Sequence, residues 1–329
     1  MLVNLDLSPL IVHARPDLVE AIDNAIAADG GAKYRAALKQ LVPATMNELS
    51  ITEDEHREHL GASLVGHGCD RYVQMSFRWV FKAPKSGRML RLLNRGHMEE
   101  ARVYAALTAV GADMSFCNTK GAEDSVAGLS AEEARQWGFS QLFGIYSGRC
   151  DGAIRNVPGL TGVYVLEVKT HSTSSFNQVK SKGVLQAKPR HAKQCHVLAH
   201  NIGLDGAIYV AVCKETDELY IEYLPLDAVT AKTLYTHTVT KAVFDTAPIH
   251  RFTNVPTNWR CRICDAKHVC WGSEPSVKNC RSCAHSRVSS VSGDWVCGKD
   301  ETDTFIHADT IRVGCDYWFP LFSYEAVQQ

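Results

Sequence analysis

Asp151 is followed after fifteen residues by Glu167-Val168-Lys169, and these polar side chains are the first candidates for chemistry. Residues two apart on a strand point to the same face, so Glu167 and Lys169 project together while Val168 points away. A hairpin of segments 143–154 and 162–170, turning across Asn156-Val157-Pro158-Gly159, sets Asp151 opposite that pair. Two carboxylates and a lysine at one place suit phosphodiester hydrolysis. The carboxylates would hold Mg²⁺ or Mn²⁺, ions that take oxygen ligands and keep waters. The lysine offers positive charge to the attacking water or to the charge that builds at phosphorus. The competing reading is a surface hairpin with a Glu/Lys cross-strand pair, worth roughly a few tenths of a kcal/mol.

The surroundings add to the site. Arg95-Gly96-His97-Met98-Glu99-Glu100 opens a stretch, 94–110, with apolar residues at helical spacing. His191-Ala192-Lys193-Gln194 lies on a second helix, about 190–201, closed by Gly203. His97 precedes Glu100 by three residues and shares its helix face, either as a metal ligand or as a local partner at the helix start. Glu99 reads as a solvated neighbour, and His191, His196 and His200 as helix-surface residues. Basic residues gather in two runs, Arg78 to Arg102 and Lys180 to Lys193, in a chain whose net charge is −1. A run of charge is ordinarily a solvated face. Two runs flanking one candidate site point to contact with a DNA backbone, with Arg88, Arg91, Arg95, Lys188 and Arg190 as the candidates.

Taken in chain order, these motifs resemble the RecB-like branch of the PD-(D/E)XK nuclease superfamily. The helix with G-x3-E is Gly96…Glu100, and the strand ending in aspartate is Gly148-Arg149-Cys150-Asp151. The E-x-K strand is Glu167-Val168-Lys169, and the helix with a glutamine carries Gln194. The resemblance covers about residues 61–223. It implies an α/β, restriction-endonuclease-like core with a central mixed sheet flanked by helices. It also implies that Glu100, Asp151 and Glu167, with His97, surround the metal, that Lys169 is catalytic, and that Gln194 orients the site. The implied activity is DNA hydrolysis, exonuclease rather than internal, in recombination, repair or processing beside a helicase or recombination partner.

Cysteine is over-represented, with twelve residues. The N-terminal stretch MLVNLDLSPLIVHARPD has an acid where a signal peptide would be basic, and no small-residue cleavage site. That favours the cytoplasm, of a bacterium or a phage-infected cell, and metal ligation over disulfides. Cys261, Cys264 and Cys270 form C-x2-C-x5-C, three ligands wanting a fourth. Iron–sulfur members of the RecB-like group place one cysteine before the nuclease motifs and three after them. The resemblance thus implies Cys69 as the first ligand and a [4Fe–4S] cluster, with zinc as the alternative because spacing does not fix the metal. Cys280, Cys283, Cys297 and Cys315 fit a small zinc ribbon, in which His285 or His307 would be able to replace one thiolate. Cys117, Cys150, Cys195 and Cys213 read as core thiols.

The elements that must hold these residues follow from periodicity. Helices are expected over 16–41, interrupted at Asp29-Gly30-Gly31, over 60–81, 94–110, 190–201 and 227–245. A Lys/Arg loop precedes the third, and a polar, basic loop follows the E-x-K strand. Segment 111–142 is expected to hold short strands and an insertion. A second hairpin, 207–213 with 218–224, turns at Glu215-Thr216-Asp217. Regular periodicity fades from 250. The expected organisation is a helical cap at 1–60, a nuclease core at 61–250, a cysteine segment at 251–275 closing on Cys69, and a zinc-ribbon-like tail at 276–329. A hydrophobic fraction of 45% supports a folded core, and no apolar run is long enough for a membrane span. The expected function is a metal-dependent DNA nuclease. A nucleic-acid-binding module with structural metals and a degenerate nuclease core is the alternative. A zinc hydrolase fails for want of an HExxH-type motif.

Overall fold

The computed structural model describes residues 10–48, 56–83, 85–115, 138–300 and 302–322. A short strand β1 (His13–Ala14) leads into helix α1 (Pro16–Ala28), where Pro16 occupies the first turn and Leu18 and Ile22 are buried. Gly30 and Gly31, both at positive φ, end it before α2 (Ala32–Glu48). The helix expected over 60–81 is mostly absent. In its place stand β2 (Leu60–Gly61), a single 3-10 turn and α3 (Asp70–Phe77). Gly66, at φ +72°, breaks the pattern between them. Helix α4 (Gly87–Ala109) starts earlier than its apolar pattern suggests, where the Ser86 side chain accepts from the Met89 N–H at 3.2 Å. Residues 87–95 are exposed on every face, which is why no apolar stripe announces them.

Next come β3 (Asp113–Ser115), β4 (Gly138–Gln141), β5 (Tyr146–Arg149), β6 (Gly152–Arg155) and β7 (Tyr164–His171). The strand expected over 143–154 is split at Cys150-Asp151. Its first half, β5, belongs to a small sheet of order β2-β5-β4, and its second half, β6, to the main sheet. The basic loop expected after β7 is instead helix α5 (Thr173–Ala187), capped by Ser172 and buried through Phe176, Val179 and Val184. Gly183, at φ +73°, kinks it and spoils the periodicity. Helix α6 (Pro189–Ile202), strands β8 (Gly206–Cys213) and β9 (Leu219–Pro225), and helix α7 (Ala228–Val239) fall close to expectation, α7 ending in a π-helical turn over Thr240–Phe244.

The main sheet has the order β1-β9-β8-β7-β6-β3, with β7 and β8 parallel and the other neighbours antiparallel. All eight residues of β8 are buried, as expected of a strand with both faces covered. On one face Leu18, Ile22, Val103 and Leu107 of α1 and α4 pack on Ile154, Leu166 and Ile208. On the other, Phe176, Ala192, Leu198 and Leu234 of α5, α6 and α7 pack on Val165 and Ala207. The fold is α/β, with mixed sheets flanked by helices. Among the described residues, no helix is long and apolar enough to cross a membrane.

The cysteine-rich region carries short helices α8 (Trp259–Arg262) and α9 (Lys267–Cys270), a sheet of β10 (Ser286–Val288), β11 (Trp295–Cys297) and β12 (Thr304–Phe305), and helix α10 (Ala308–Val313). It does not pack apart from what precedes it. Cys280, Val288, Trp295 and Ile306 join the same buried cluster as Phe77 and Leu234. The Val277 N–H donates to the Val80 carbonyl at 2.9 Å, and Asn279 Nδ2 to the Trp79 carbonyl at 3.0 Å.

Candidate active site and cysteine centres

Asp151 lies where the chain passes from one sheet to the other. The pairing of Gly152 with Leu166 brings it beside β7, and its Oδ2 accepts the Val168 N–H at 2.8 Å. The Tyr104 hydroxyl, from α4, donates to the Asp151 carbonyl oxygen. Lys169 Nζ pairs directly with Glu167 Oε1 and stands 3.9 Å from Asp151 Oδ2. Gln194 Nε2, reaching from α6, donates to the same Glu167 oxygen at 2.8 Å. Glu167 is wholly buried, and its other oxygen, Oε2, has no hydrogen-bond partner among the described residues. An ionised carboxylate oxygen left bare in the interior is costly unless a cation or donor completes it.

The electrostatics agree with that geometry. Burial pushes Glu167 up to about 7 against the pull of Lys169, with the Asp151 charge adding to the push. Glu100, on α4, is also raised to about 7 by burial and by Asp151, although His97 Nδ1 stands 3.6 Å from its Oε1. Burial alone would lower Lys169, but the Glu167 and Asp151 carboxylates outweigh it and hold the ammonium charged. Three acids share one buried field with one cation, which leaves an excess of negative charge. By chemistry the donors are those a divalent metal takes. Glu100, Asp151 and Glu167 would hold it with the bare Glu167 Oε2 as the most exacting, although as placed they do not converge on one point.

Three expectations need correction. Glu99 is not solvated; it is buried and paired with Arg102 at 3.0 Å, which in turn pairs with Asp217 at 3.0 Å. His196 is buried rather than on the surface. His191 is part-buried, with Nδ1 at 3.0 Å from the Tyr209 hydroxyl. The same hydroxyl lies 2.9 Å from His171 Nε2, and His171 Nδ1 is 3.0 Å from Ser175 Oγ. Burial, reinforced by nearby lysines, lowers His171 to about 4 and His191 to about 3. This neutral His–Tyr–His network borders the acids, and the sequence reading does not include it. The available signal is position: His171 is two residues beyond Lys169 and so shares its strand face.

Among the basic candidates, Arg88 and Arg91 are exposed on the first turns of α4, while Arg95 donates to the Lys214 carbonyl at 2.5 Å. Lys188 caps the start of α6 near the two histidines. Arg190 bonds the Ser63 carbonyl at 2.9 Å and faces the cysteine segment rather than the carboxylates.

Cys69, Cys261, Cys264 and Cys270 all line one cavity of about 650 Å³, walled also by Arg71, Arg190, Lys193 and Arg260. Cys69 sits at the N-cap of α3, not within a helix. Burial raises its thiol, and Cys270 adds to the effect; burial pushes Cys264 up to about 11, with Cys69 and Cys270 again contributing. In the tail, burial raises Cys280 to about 11, reinforced by Cys315, Cys283 and Cys297. The four tail thiols are therefore electrostatic neighbours. Among the described residues, however, no three His, Cys, Asp or Glu side chains converge tightly enough to hold an ion as placed. Cys150, Cys195 and Cys213 are buried core thiols, and Cys117 lies outside the described residues.

No protein-family model and no curated protein matches the chain. Among solved structures it is similar to one described as the crystal structure of SSO0001, at 15% identity and a TM-score of 0.37, over 72% of this chain and 96% of that one. A likeness that distant carries no argument about fold or activity.

Proposed function

We propose that this protein is a Mg²⁺- or Mn²⁺-dependent deoxyribonuclease with a PD-(D/E)XK core. The observation that carries the reading is the buried Glu167, gripped by Lys169 and Gln194 through one oxygen and bare at the other. A surface cross-strand pair would be solvated and would need neither burial nor a glutamine partner. Bound divalent metal would supply Lewis acidity and lower the pKa of a coordinated water. The chain's own residues do the rest. Asp151 is held in place by the Val168 N–H, which leaves its second oxygen for the metal. Gln194 fixes the rotamer of Glu167, so the donor set is preorganised. Lys169 stays charged and offers its ammonium to the phosphate oxygens as negative charge builds on them. Arg88 and Arg91, exposed on α4, would steer the DNA backbone.

The cysteine cavity supports a [4Fe–4S] cluster on Cys69, Cys261, Cys264 and Cys270. A lone tetrahedral zinc needs no cavity of that size, and the surrounding arginines and lysine suit an anionic cluster. Joining α3 to the segment after α7, it would close a very long loop. Exonuclease action in recombination, repair or processing, beside a helicase or recombination partner, is the working assignment. Linear and circular DNA, single- and double-stranded, incubated with and without Mg²⁺, test it. Cleavage confined to linear DNA supports an exonuclease, cleavage of closed circles makes it an endonuclease, and no metal-dependent cleavage of any form refutes the reading.

A further inference from the structure

Two arginines are entombed where α3 meets the cysteine-rich tail. Arg78 is wholly buried and Arg281 is 1% exposed. Neither has a carboxylate partner among the described residues: the nearby Asp245 is paired with Lys241, and Glu58 with Arg312. Arg78 Nη1 instead donates to the carbonyls of Arg281 at 3.1 Å, Cys283 at 3.4 Å and Ser286 at 3.3 Å, all in the turn that carries Cys280 and Cys283. Arg281 is stacked among Phe77, Trp79 and Trp295, at 4.4, 4.2 and 4.8 Å, and gives one hydrogen bond to the Glu58 carbonyl at 2.9 Å. Arg78 Nε and both Nε and Nη2 of Arg281 have no hydrogen-bond partner among the described residues.

Carbonyl dipoles and aromatic faces offset part of a buried cation's lost hydration, not all of it. Two such cations side by side also repel one another. Asp245 and Glu58, each paired elsewhere, act on them only in part, and a further anionic charge beside the turn that Arg78 grips would complete the compensation. The anion-forming groups that this turn carries are thiols. The Cys283 N–H donates to the Cys280 carbonyl at 3.1 Å, forming a tight turn, and Cys297 is brought to it by pairing with Ser286. A dication held by four thiolates carries two net negative charges, which matches the two guanidinium groups.

We infer that Cys280, Cys283, Cys297 and Cys315 hold a zinc-class dication as a dianionic tetrathiolate whose counter-ions are the buried Arg78 and Arg281. The centre is then not a local staple. Its charge is what permits the arginines to be buried, and the arginines are what bind the tail to the core. Metal and core stability are linked through them. None of this depends on the nuclease assignment.

The test uses the full chain, counting as tail zinc the metal that a Cys280→Ser variant fails to retain. Wild type and Arg78→Met/Arg281→Met are compared for zinc affinity, by competition with a chromophoric chelator, and for melting temperature before and after chelation. The expected result is tail zinc held about tenfold or more weakly in the double variant, because the dianion has lost its counter-ions. Chelation should also lower the melting temperature of wild type more than that of the double variant, in which no buried cation is left uncompensated. Should the double variant not fold, Arg281→Met is set against Arg281→Lys, and only the former should lose affinity. Equal affinity and equal chelation shifts in all proteins overturn the charge linkage while leaving a zinc site standing. Full zinc content in Cys280→Ser overturns the site itself.

Discussion

Two regions of this molecule bury charge in opposite senses. Beside β7, Glu100, Asp151 and Glu167 crowd around one lysine, and the excess is negative. At the foot of α3, Arg78 and Arg281 have no carboxylate ion pair among the described residues, and the excess is positive. Each region is incomplete as a charge distribution, and each calls for a different completion. On the proposed function, the first takes a dication that would also meet a phosphate. On the inference drawn above, the second takes an anionic thiolate centre, buried at Cys280 and Cys283 and open to solvent at Cys315. The sign of the imbalance separates the two proposed sites.

The largest effect expected from breaking this contrast is on the acidic side. Lys169→Ala should lower the DNA cleavage rate by about 100-fold or more while leaving DNA affinity nearly unchanged, since it removes charge stabilisation from the transition state. Rate and binding measured on one substrate separate the two, and an unchanged rate would remove Lys169 from the chemistry. Next in size is the basic side. Cys280→Ser should destabilise the whole chain by about 3–5 kcal/mol, the scale for a buried charge stripped of its partner. A denaturant titration in which only a tail probe shifts would show the tail to be an independent unit.

A smaller effect concerns pH. The folded pKa values of His171 and His191 lie below the ordinary histidine value, so between about 4 and 6.5 the unfolded chain binds more protons at these positions. Their contribution to stability is therefore present above pH 6.5 and is lost as pH falls. Glu167 and Glu100, raised to about 7, act oppositely: below pH 7 the folded state holds the extra protons, and stability is gained. The two trends offset one another in the wild type. His191→Gln removes one histidine, so in metal-free buffer the change in its melting temperature from pH 7 to pH 5 should be more positive than that of wild type. Parallel curves would place His191 in ordinary solvent.

The smallest effect is on DNA affinity. Arg88→Ala and Arg91→Ala should each weaken binding a few-fold and reduce the salt slope by about 0.9 for each phosphate no longer neutralised. Arg95→Ala should change it less, because Arg95 is already engaged with the Lys214 carbonyl. Salt slopes equal to that of wild type in all three variants would turn this face of α4 away from DNA.

Much of the acidic region is legible in the sequence because alternation on a strand is a strong rule: Glu167 and Lys169 have to share a face, and turn residues at 156–159 have to fold Asp151 back toward them. The helix spacing of His97 and Glu100 is equally direct. The basic region is not legible. Arg78 reads as one more charge in a surface run, and nothing local reveals that it ends a short helix under the tail. Burial of charge arises from distant segments meeting, and no periodicity encodes it. The same reason hides Tyr209, which reads as one more apolar position of a fully buried strand. Helix α5 escapes the pattern for a different cause: its buried face is only three residues wide, and Gly183 interrupts it.

The most direct test of the central claim is the Mg²⁺ dependence of DNA cleavage in wild type and in Asp151→Asn, purified alike and followed together with melting temperature. The acidic site predicts that Mg²⁺ both starts cleavage and raises the melting temperature of wild type, and does neither in Asp151→Asn. Cleavage by Asp151→Asn at the wild-type rate, or cleavage by wild type in the presence of excess chelator, would contradict it.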